Sequence, residues 1–467
     1  MSMNMPFFES DSAMLNKAAR IATGDISGNC IPYKSGLLIE EKTCIMAGLN
    51  YSMPWVRDTA INTMNAISIM EPVIARDTLL SVCETVDGKK CIGGHQYWDK
   101  IIWALGAWQY FSVSLDYVFL PLAKEIIDNS LEQFENEEFD EDCGLFRGPA
   151  VYGDGVAAYP DFYTGNDDDP SYIGAWPQAH PDKTVKKGFG ISMKTLSTNC
   201  VYYAAYRVMA KISEILSLDG SCYTIKADML KTNINKYFWN EKTGRYDYLF
   251  DNYIRCDYSE GIGLAFAMIF GIADREKSRS IISNTYISDQ GIPCLWPSFD
   301  RYRFGTHYGR HSGTVWPHVQ GFWALSMLKN GNTKGFEKEL YTLAYRAERD
   351  LHFAELYHPE TGEIYGGLQE RKNSGIDVWK SCLKQTWAAT AFWSLLLYGI
   401  IGISFTEKEI TVKPYLPIGV NHAELKNLKV GKALITITVD RKSNKPNQIS
   451  LPRNSEGNYT YSLSCGV

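Results

Sequence analysis

The chain has 467 residues, more than one compact domain usually holds, with 45% hydrophobic and 21% charged positions; this balance permits a large buried core and excludes disorder. A formal net charge of -6 excludes nucleic acid as a partner, because phosphates call for a basic face, and no apolar run nears the roughly 20 residues that span a bilayer. Aromatic residues reach 13%, with 12 Trp and 29 Tyr; beyond core filling, such rings offer flat apolar faces with polar tips, which suit sugar rings.

The first stretch, Met1 to Ser12, lacks the basic-then-apolar layout of a secretory signal. Eleven cysteines, an odd number without a CxxC pair, point to reduced thiols in a cytoplasmic setting. From about residue 12 to about residue 400, apolar residues at i, i+3 and i+4 alternate with loops rich in Gly, Pro, Trp and Tyr, which predicts about twelve helices. The clearest cover Thr59 to Ile69, Lys100 to Ser114, Pro121 to Phe134 and Thr198 to Leu216. Gly261 to Phe270, Val315 to Leu328, Gly335 to Asp350 and Thr386 to Tyr398 follow. Long aperiodic loops, Gly144 to Ser197, Gly291 to Thr314 and His352 to Lys384, concentrate Trp, Tyr, Asp, His and Gly, and long loops inside a compact domain usually serve function. After Gly402 the period shifts to two, over Ile410 to Lys413, Ala423 to Val430, Ala433 to Val439 and Tyr459 to Ser464. The chain therefore divides into a mainly α domain over residues 1–401 and a small C-terminal β appendage over 402–467; if successive helix pairs form a ring, alternate loops gather at one end of it.

Four loop motifs carry the candidate chemistry. Tyr51-Ser-Met-Pro-Trp55-Val-Arg57-Asp58 precedes a helix: Asp58 can cap it, or Trp55, Arg57 and Asp58 can stack on a sugar and hydrogen-bond its hydroxyls. Gly93-Gly-His-Gln-Tyr97-Trp98-Asp99 repeats that arrangement ahead of another helix. In the third loop, glycines flank Asp154 and leave its carboxyl prominent. No Glu lies between Glu141 and Glu214, so an acid from this loop is an Asp, with Asp154 favoured over Asp161 and Asp142 weaker still; a plain turn is the alternative. In the fourth, Glu355 sits between Phe353 and Leu356, a setting that can poise a carboxylate as a base, against the alternative of an exposed glutamate.

The run His307 to Gly321 holds His307, His311, Trp316 and His318. Gly309 disfavours a metal-binding helix there, leaving sugar contacts or core hydrogen bonds for the histidines. Asn166-Asp-Asp-Asp169 reads as an exposed acidic turn, with calcium as the alternative. No metal or cofactor is called for, and the expected partner is a carbohydrate.

Trp55-Val-Arg-Asp58, Tyr97-Trp-Asp99, Gly313-Thr-Val-Trp-Pro317 and Glu355-Leu-Tyr-His-Pro-Glu-Thr-Gly362 resemble the six-hairpin, (α/α)6-toroid glycosidases. Glycoside hydrolase family 63, the glucoamylases and the helical domains of bacterial α-L-rhamnosidases and debranching enzymes are the most similar. The resemblance spans nearly the whole chain. It implies an inverting hydrolase of an α-linked glycoside, α-glucosidase-like, with Asp154 as general acid and Glu355 as general base. Family 63 carries its acid in a Gly-Met/Leu-Asp-Asp/Asn context, where this chain has Tyr-Gly-Asp154-Gly-Val. The resemblance also implies that Arg57 and Asp58 hold the sugar at the cleavage subsite, and Trp387 joins the candidate binding residues. Two other classes stay open: a sugar epimerase, which needs His311, His318 or His95 converging on one carbon, and a binding protein that kept the ring without the chemistry.

Overall fold

Helices of two kinds alternate along the chain, and burial tells them apart. Val56–Asn62 is buried at all seven positions and Thr386–Ser394 at all nine, so neither has a solvent face. Thr333–Asp350 instead buries Phe336, Leu340, Leu343, Ala344 and Ala347 along one stripe, as a helix does with core on one side and water on the other. The structure, a computed structural model, describes residues 5–467 except 95, 167–168, 374, 432, 443 and 454–459.

Six pairs result, each an outer helix followed by an inner one. They are α1 (Ala13–Gly28) with α2 (Val56–Asn62, running through a π-helical turn Thr63–Ile67 to Ser68–Met70), and α3 (Pro72–Ser81) with α4 (Asp99–Ser114). Next come α5 (Phe119–Glu138) with α6 (Leu196–Ile215), and α7 (Ser221–Phe238) with α8 (Gly261–Ile269). The last are α9 (Arg275–Asn284) with α10 (Pro317–Lys329), and α11 (Thr333–Asp350) with α12 (Thr386–Ser394, ending in a π-helical turn Leu395–Ile400). Each inner helix packs on the next, and α12 packs back on α2, so the ring closes. The fold is mainly α, an (α/α)6 toroid with a C-terminal β layer.

Two glycines let the inner helices approach. A Cβ on Gly106 of α4 would stand 2.9 Å from Cα of Ala60 in α2, and one on Gly321 of α10 would stand 2.9 Å from Cβ of Ala391 in α12. Pro121 falls in the first turn of α5, where its missing N–H has no intrahelical partner to lose.

The β layer has two sheets. In one, Ile403–Phe405, Glu409–Val412 and Ile449–Pro452 pair antiparallel. In the other, His422–Val430 lies between Ala433–Asp440 and a strand from the opposite end of the chain, Phe7–Ser10, with Phe8 opposite Leu425. Thr460–Gly466 pairs parallel on the far side of Ala433–Asp440. The β layer thus recruits residues 7–10, which the period-two reading of residues 402–467 did not include. Among the described residues no helix is long and apolar enough to cross a membrane.

Candidate active site

The loops that enter the inner helices gather at one end of the ring, here called the upper mouth. They surround a cavity of about 380 Å³. Tyr51 and Trp55 come from the loop before α2, Arg57 and Asp58 from its first turn, and Gln96 from the loop before α4. Asp154, Asp169, Ser171 and Tyr172 come from the long loop before α6; Trp316, Glu355, Gln385 and Trp387 come from the approaches to α10 and α12.

Arg310 organises the carboxyls. The residue is 1% exposed, and one guanidinium nitrogen, Nη2, donates to Glu355 Oε1 at 2.9 Å and to Asp154 Oδ2 at 3.2 Å. Glu355 Oε2 accepts from the backbone N–H of Cys382 at 3.2 Å, and the Glu355 N–H donates to the Cys382 carbonyl at 2.8 Å. The loops carrying Arg310 and Glu355 are tied by reciprocal backbone bonds between Val315 and Tyr357, 3.0 and 2.9 Å. Gly367, at φ +85°, lets residues 366–368 lie on the Arg310 backbone; a Cβ there would meet Arg310 Cα at 2.5 Å.

The charges sort the carboxyls into two states. Burial pushes the Asp154 carboxyl up, but Arg310, His311 and Arg57 together outweigh burial and hold the group well below the usual carboxylate range. Asp154 keeps a half-exposed side chain on the cavity, 46%, while that of Glu355 is 4% exposed. Asp58 is the opposite case: burial, against the pull of Arg57 and with Glu355, Asp99 and Asp154 nearby, pushes it up to about 8. Arg57 donates to the Val151 carbonyl at 2.6 Å and stands 3.7 Å from Asp99. No cap bond from a side chain closes the start of α2, so Asp58 is not serving as its cap.

The aromatic wall is a stack. Trp316 and Trp387 meet edge to face at 4.9 Å; His311 lies flat on Trp316 at 4.4 Å, and His318 on Trp387 at 4.5 Å. His311 adopts φ +60° and packs on its other side against Tyr152 at 5.2 Å. Both imidazoles are fully buried, none of their ring nitrogens makes a hydrogen bond among the described residues, and burial holds both neutral. They support the tryptophans from behind.

Of the residues expected at the site, Trp55, Arg57, Asp58, Asp154, Trp316, Glu355 and Trp387 line the cavity. Tyr97, Trp98, Asp99 and His311 do not. Trp98 turns into the ring core, where Nε1 donates to Thr198 Oγ1 at 2.9 Å and the indole stacks on Phe266. Tyr97 packs on Phe189 at 4.5 Å. Asp99 stands behind Arg57 and accepts from the Gln96 N–H at 2.9 Å. Asp161 is on the surface, paired with Arg301 at 2.6 Å. Sequence reasoning missed Arg310, although it sits inside the motif singled out for its histidines, and it missed Tyr51, Gln96, Tyr172 and Gln385. His95 and half of the acidic turn Asn166 to Asp169, namely 167–168, lie outside the described residues. Among the described residues no group of His, Cys, Asp and Glu could hold a metal ion.

A ring of six helix pairs with several carboxyls facing one aromatic-walled cavity defines a glycoside hydrolase of the six-hairpin type. The chain belongs to the family described as the mannosylglycerate hydrolase MGH1-like glycoside hydrolase domain, whose model matches residues 99–387. Among solved structures it is similar to a GH63 mannosylglycerate hydrolase from Thermus thermophilus in complex with glucose, at 13% identity and a TM-score of 0.60, over 81% of this chain and 100% of that one. A sialidase matches at 13% identity and TM-score 0.69 over 96% of this chain and 40% of its own. A GH78 family rhamnosidase of Bacillus sp. GL1 matches at 14% identity and TM-score 0.56 over 99% and 44%. The chain thus spans less than half the length of those last two proteins, and all three likenesses concern the fold. No curated protein sequence matches the chain.

Proposed function

We propose that the protein hydrolyses a small α-linked glycoside with inversion, Glu355 activating the water and Asp154 protonating the departing oxygen. The single observation that carries the carboxyl pair is the sharing of one Arg310 nitrogen by Asp154 and Glu355 at the wall of one cavity; inversion rests on the resemblance to the family 63 enzymes and is decided by the anomer test. Glu355 fits a base: it is buried, ionically held and anchored by the Cys382 N–H. Inversion needs room for a water between the pair, about 6.5–9.5 Å against about 5–5.5 Å for retention. A cavity of about 380 Å³ is at the small end of ligand sites and suits one or two sugar rings. The family description supports mannosylglycerate as a substrate to set beside α-glucosides.

A general acid must arrive protonated, and in the free protein Arg310 keeps Asp154 ionised. In this reading the aglycone separates Asp154 from Arg310 as it enters, and the loss of that charge raises the carboxyl. Asp58, pushed up to about 8 on the same cavity, supports a second reading in which it donates the proton. The leaving group decides between them. Asp154→Asn is expected to lose turnover on alkyl α-glycosides and mannosylglycerate but to keep it on the glycosyl fluoride, which departs without a proton. The same pattern in Asp58→Asn, with Asp154→Asn active on both, transfers the role to Asp58. Detection of the first-formed anomer by NMR tests inversion, and a retained anomer overturns it.

A further inference from the structure

The inner helices all run the same way, so their last turns meet at the other end of the ring. There they enclose a second cavity of about 1020 Å³. Every inner helix contributes to it, from Asn65 of α2 and Trp108 of α4 to Tyr398 of α12. Four cations line it, Arg207, Lys211, Lys329 and Lys413, and no carboxylate is among its lining residues. This is a concentration of one sign on a chain whose net charge is -6.

Cations at helix C-termini complement the helix dipole, which accounts for Lys329, whose ammonium donates to the Ile269 carbonyl at the end of α8. It does not account for the others. Arg207 and Lys211 lie inside α6, which runs on to Ile215, and Lys413 follows the strand Glu409–Val412. None of these three forms an ion pair within 4.0 Å among the described residues. Lys211 sits over the Trp108 ring at 5.3 Å, and burial together with the Arg207 charge lowers its affinity for its proton. A cluster that repels itself in this way is relieved by a bound anion.

Polar groups converge there too. Asn65 is 3% exposed, and its Nδ2 makes no hydrogen bond among the described residues; a buried donor left open costs about 1–3 kcal/mol unless something accepts from it. The π-helical turns Thr63–Ile67 and Leu395–Ile400 carry Asn65 and Tyr398 respectively, and such turns are frequent at functional sites. Tyr398 donates to the Met64 carbonyl and accepts from Gln109 at 3.1 Å. Tyr415, also in the wall, donates to Glu337 outside it.

We propose that this lower mouth is a second binding site, separate from the candidate active site, for an anionic saccharide: its rings stack on Trp108 and its carboxylate or sulfate groups pair with Arg207, Lys211 and Lys413. Aromatic faces and fixed cations in one cavity match a ligand with both apolar ring faces and negative charge. The proposal does not depend on which glycoside the upper mouth cleaves.

Titration of the full chain with trigalacturonate and with a sulfated disaccharide tests it, with maltotriose and inorganic sulfate as controls. On addition of at least one of the two anionic saccharides, the indole N–H resonance of Trp108 is expected to move while those of Trp316 and Trp387 stay, and added salt weakens the binding. The double variant Arg207→Gln/Lys413→Gln, both positions exposed, is expected to bind about tenfold or more weakly while hydrolysis at the upper mouth is unchanged. Binding of either anionic saccharide supports the site, and the tighter of the two names the anionic group. The proposal is overturned if neither moves Trp108, if maltotriose or inorganic sulfate binds as tightly, or if the double variant binds as the parent does. The Trp108 measurement on the unaltered protein stands even if the variant does not fold.

Discussion

The two mouths of the ring differ in sign, size and construction. The upper is small, lined by Asp58, Asp154, Asp169 and Glu355, and built from loops; the lower is more than twice as large, lined by Arg207, Lys211, Lys329 and Lys413, and built from helix ends. Both follow from one property, the common direction of the inner helices. Six N-termini converge above and six C-termini below, so the backbone offers partial positive charge to the carboxyl-bearing mouth and partial negative charge to the cationic one. Loops can be long and specific above because each connects an outer helix to an inner one across the rim. Below, the connections are short, as between α10 and α11, joined by residues 330–332, and the side chains come from the helices themselves.

The contrast can be broken most strongly at Glu355. Glu355→Gln is expected to lower kcat by about 10²–10⁴-fold on α-glycosides, with sugar affinity retained and the lower mouth unaffected; full activity would remove Glu355 from the reaction. Next comes the packing that joins the mouths. Gly106→Val puts a side chain where Ala60 Cα stands 2.9 Å from the first added carbon, and overpacking of that kind costs about 1–3 kcal/mol; a fall in Tm is expected, with both mouths weakened together.

Asp58 sharpens the electrostatic side. Its carboxyl is raised from 3.8 to about 8 in the folded protein, so the fold holds a proton that the unfolded chain gives up. Its contribution is fully present below about pH 4 and is lost as the pH rises toward and through 8. Asp58→Asn removes that loss, so the stability of the variant relative to the parent, measured by chemical denaturation, should gain with pH across this window, by more than about 1 kcal/mol at pH 8. An unchanged difference from pH 4 to pH 8 would mean that Asp58 is ionised in the fold. The smallest effect is expected at the surface pair Lys89–Glu132, 3.2 Å apart and exposed on both sides. Lys89→Ala should shift stability by less than about 1 kcal/mol and move neither mouth, in chemical denaturation and binding alike.

Much of the ring is legible in sequence because burial on all sides and burial on one side leave different traces. The predicted Gly335 to Asp350 became Thr333–Asp350, and Lys100 to Ser114 became Asp99–Ser114, with ends shifted by one or two residues. The strand Phe7–Ser10 escaped notice because four residues carry little period, and its partner lies more than four hundred positions away. The site divides in the same way. A residue just ahead of a helix, such as Trp55, or set among glycines in a long loop, such as Asp154, or beside apolar residues in a loop, such as Glu355, announces itself locally. Whether its side chain turns to the cavity or to the core is decided by packing, which sent Trp98 inward onto Phe266. Arg310 had no local signal. Its meaning lies in Asp154 and Glu355, 156 and 45 residues away, and the histidine beside it drew attention by its type while serving as a spacer against Trp316.

The strand Phe7–Ser10 also bears on the order in which the molecule can be made. It is synthesised among the first residues, yet its antiparallel partner, His422–Val430, comes near the end. At a synthesis rate of about 5–20 residues per second, the partner follows on the order of tens of seconds later. For that interval Phe8, fully covered in the finished fold, has no strand to pair with, and α1 lacks α11 and α12, the helices it packs against. Closure of the ring, which waits for α12, and completion of the sheet, which waits for His422–Val430, are therefore both late events. A nascent chain halted before residue 386 would lack α12 and hold its helices as an open arc, the upper mouth short of Trp387 and the lower short of Tyr398.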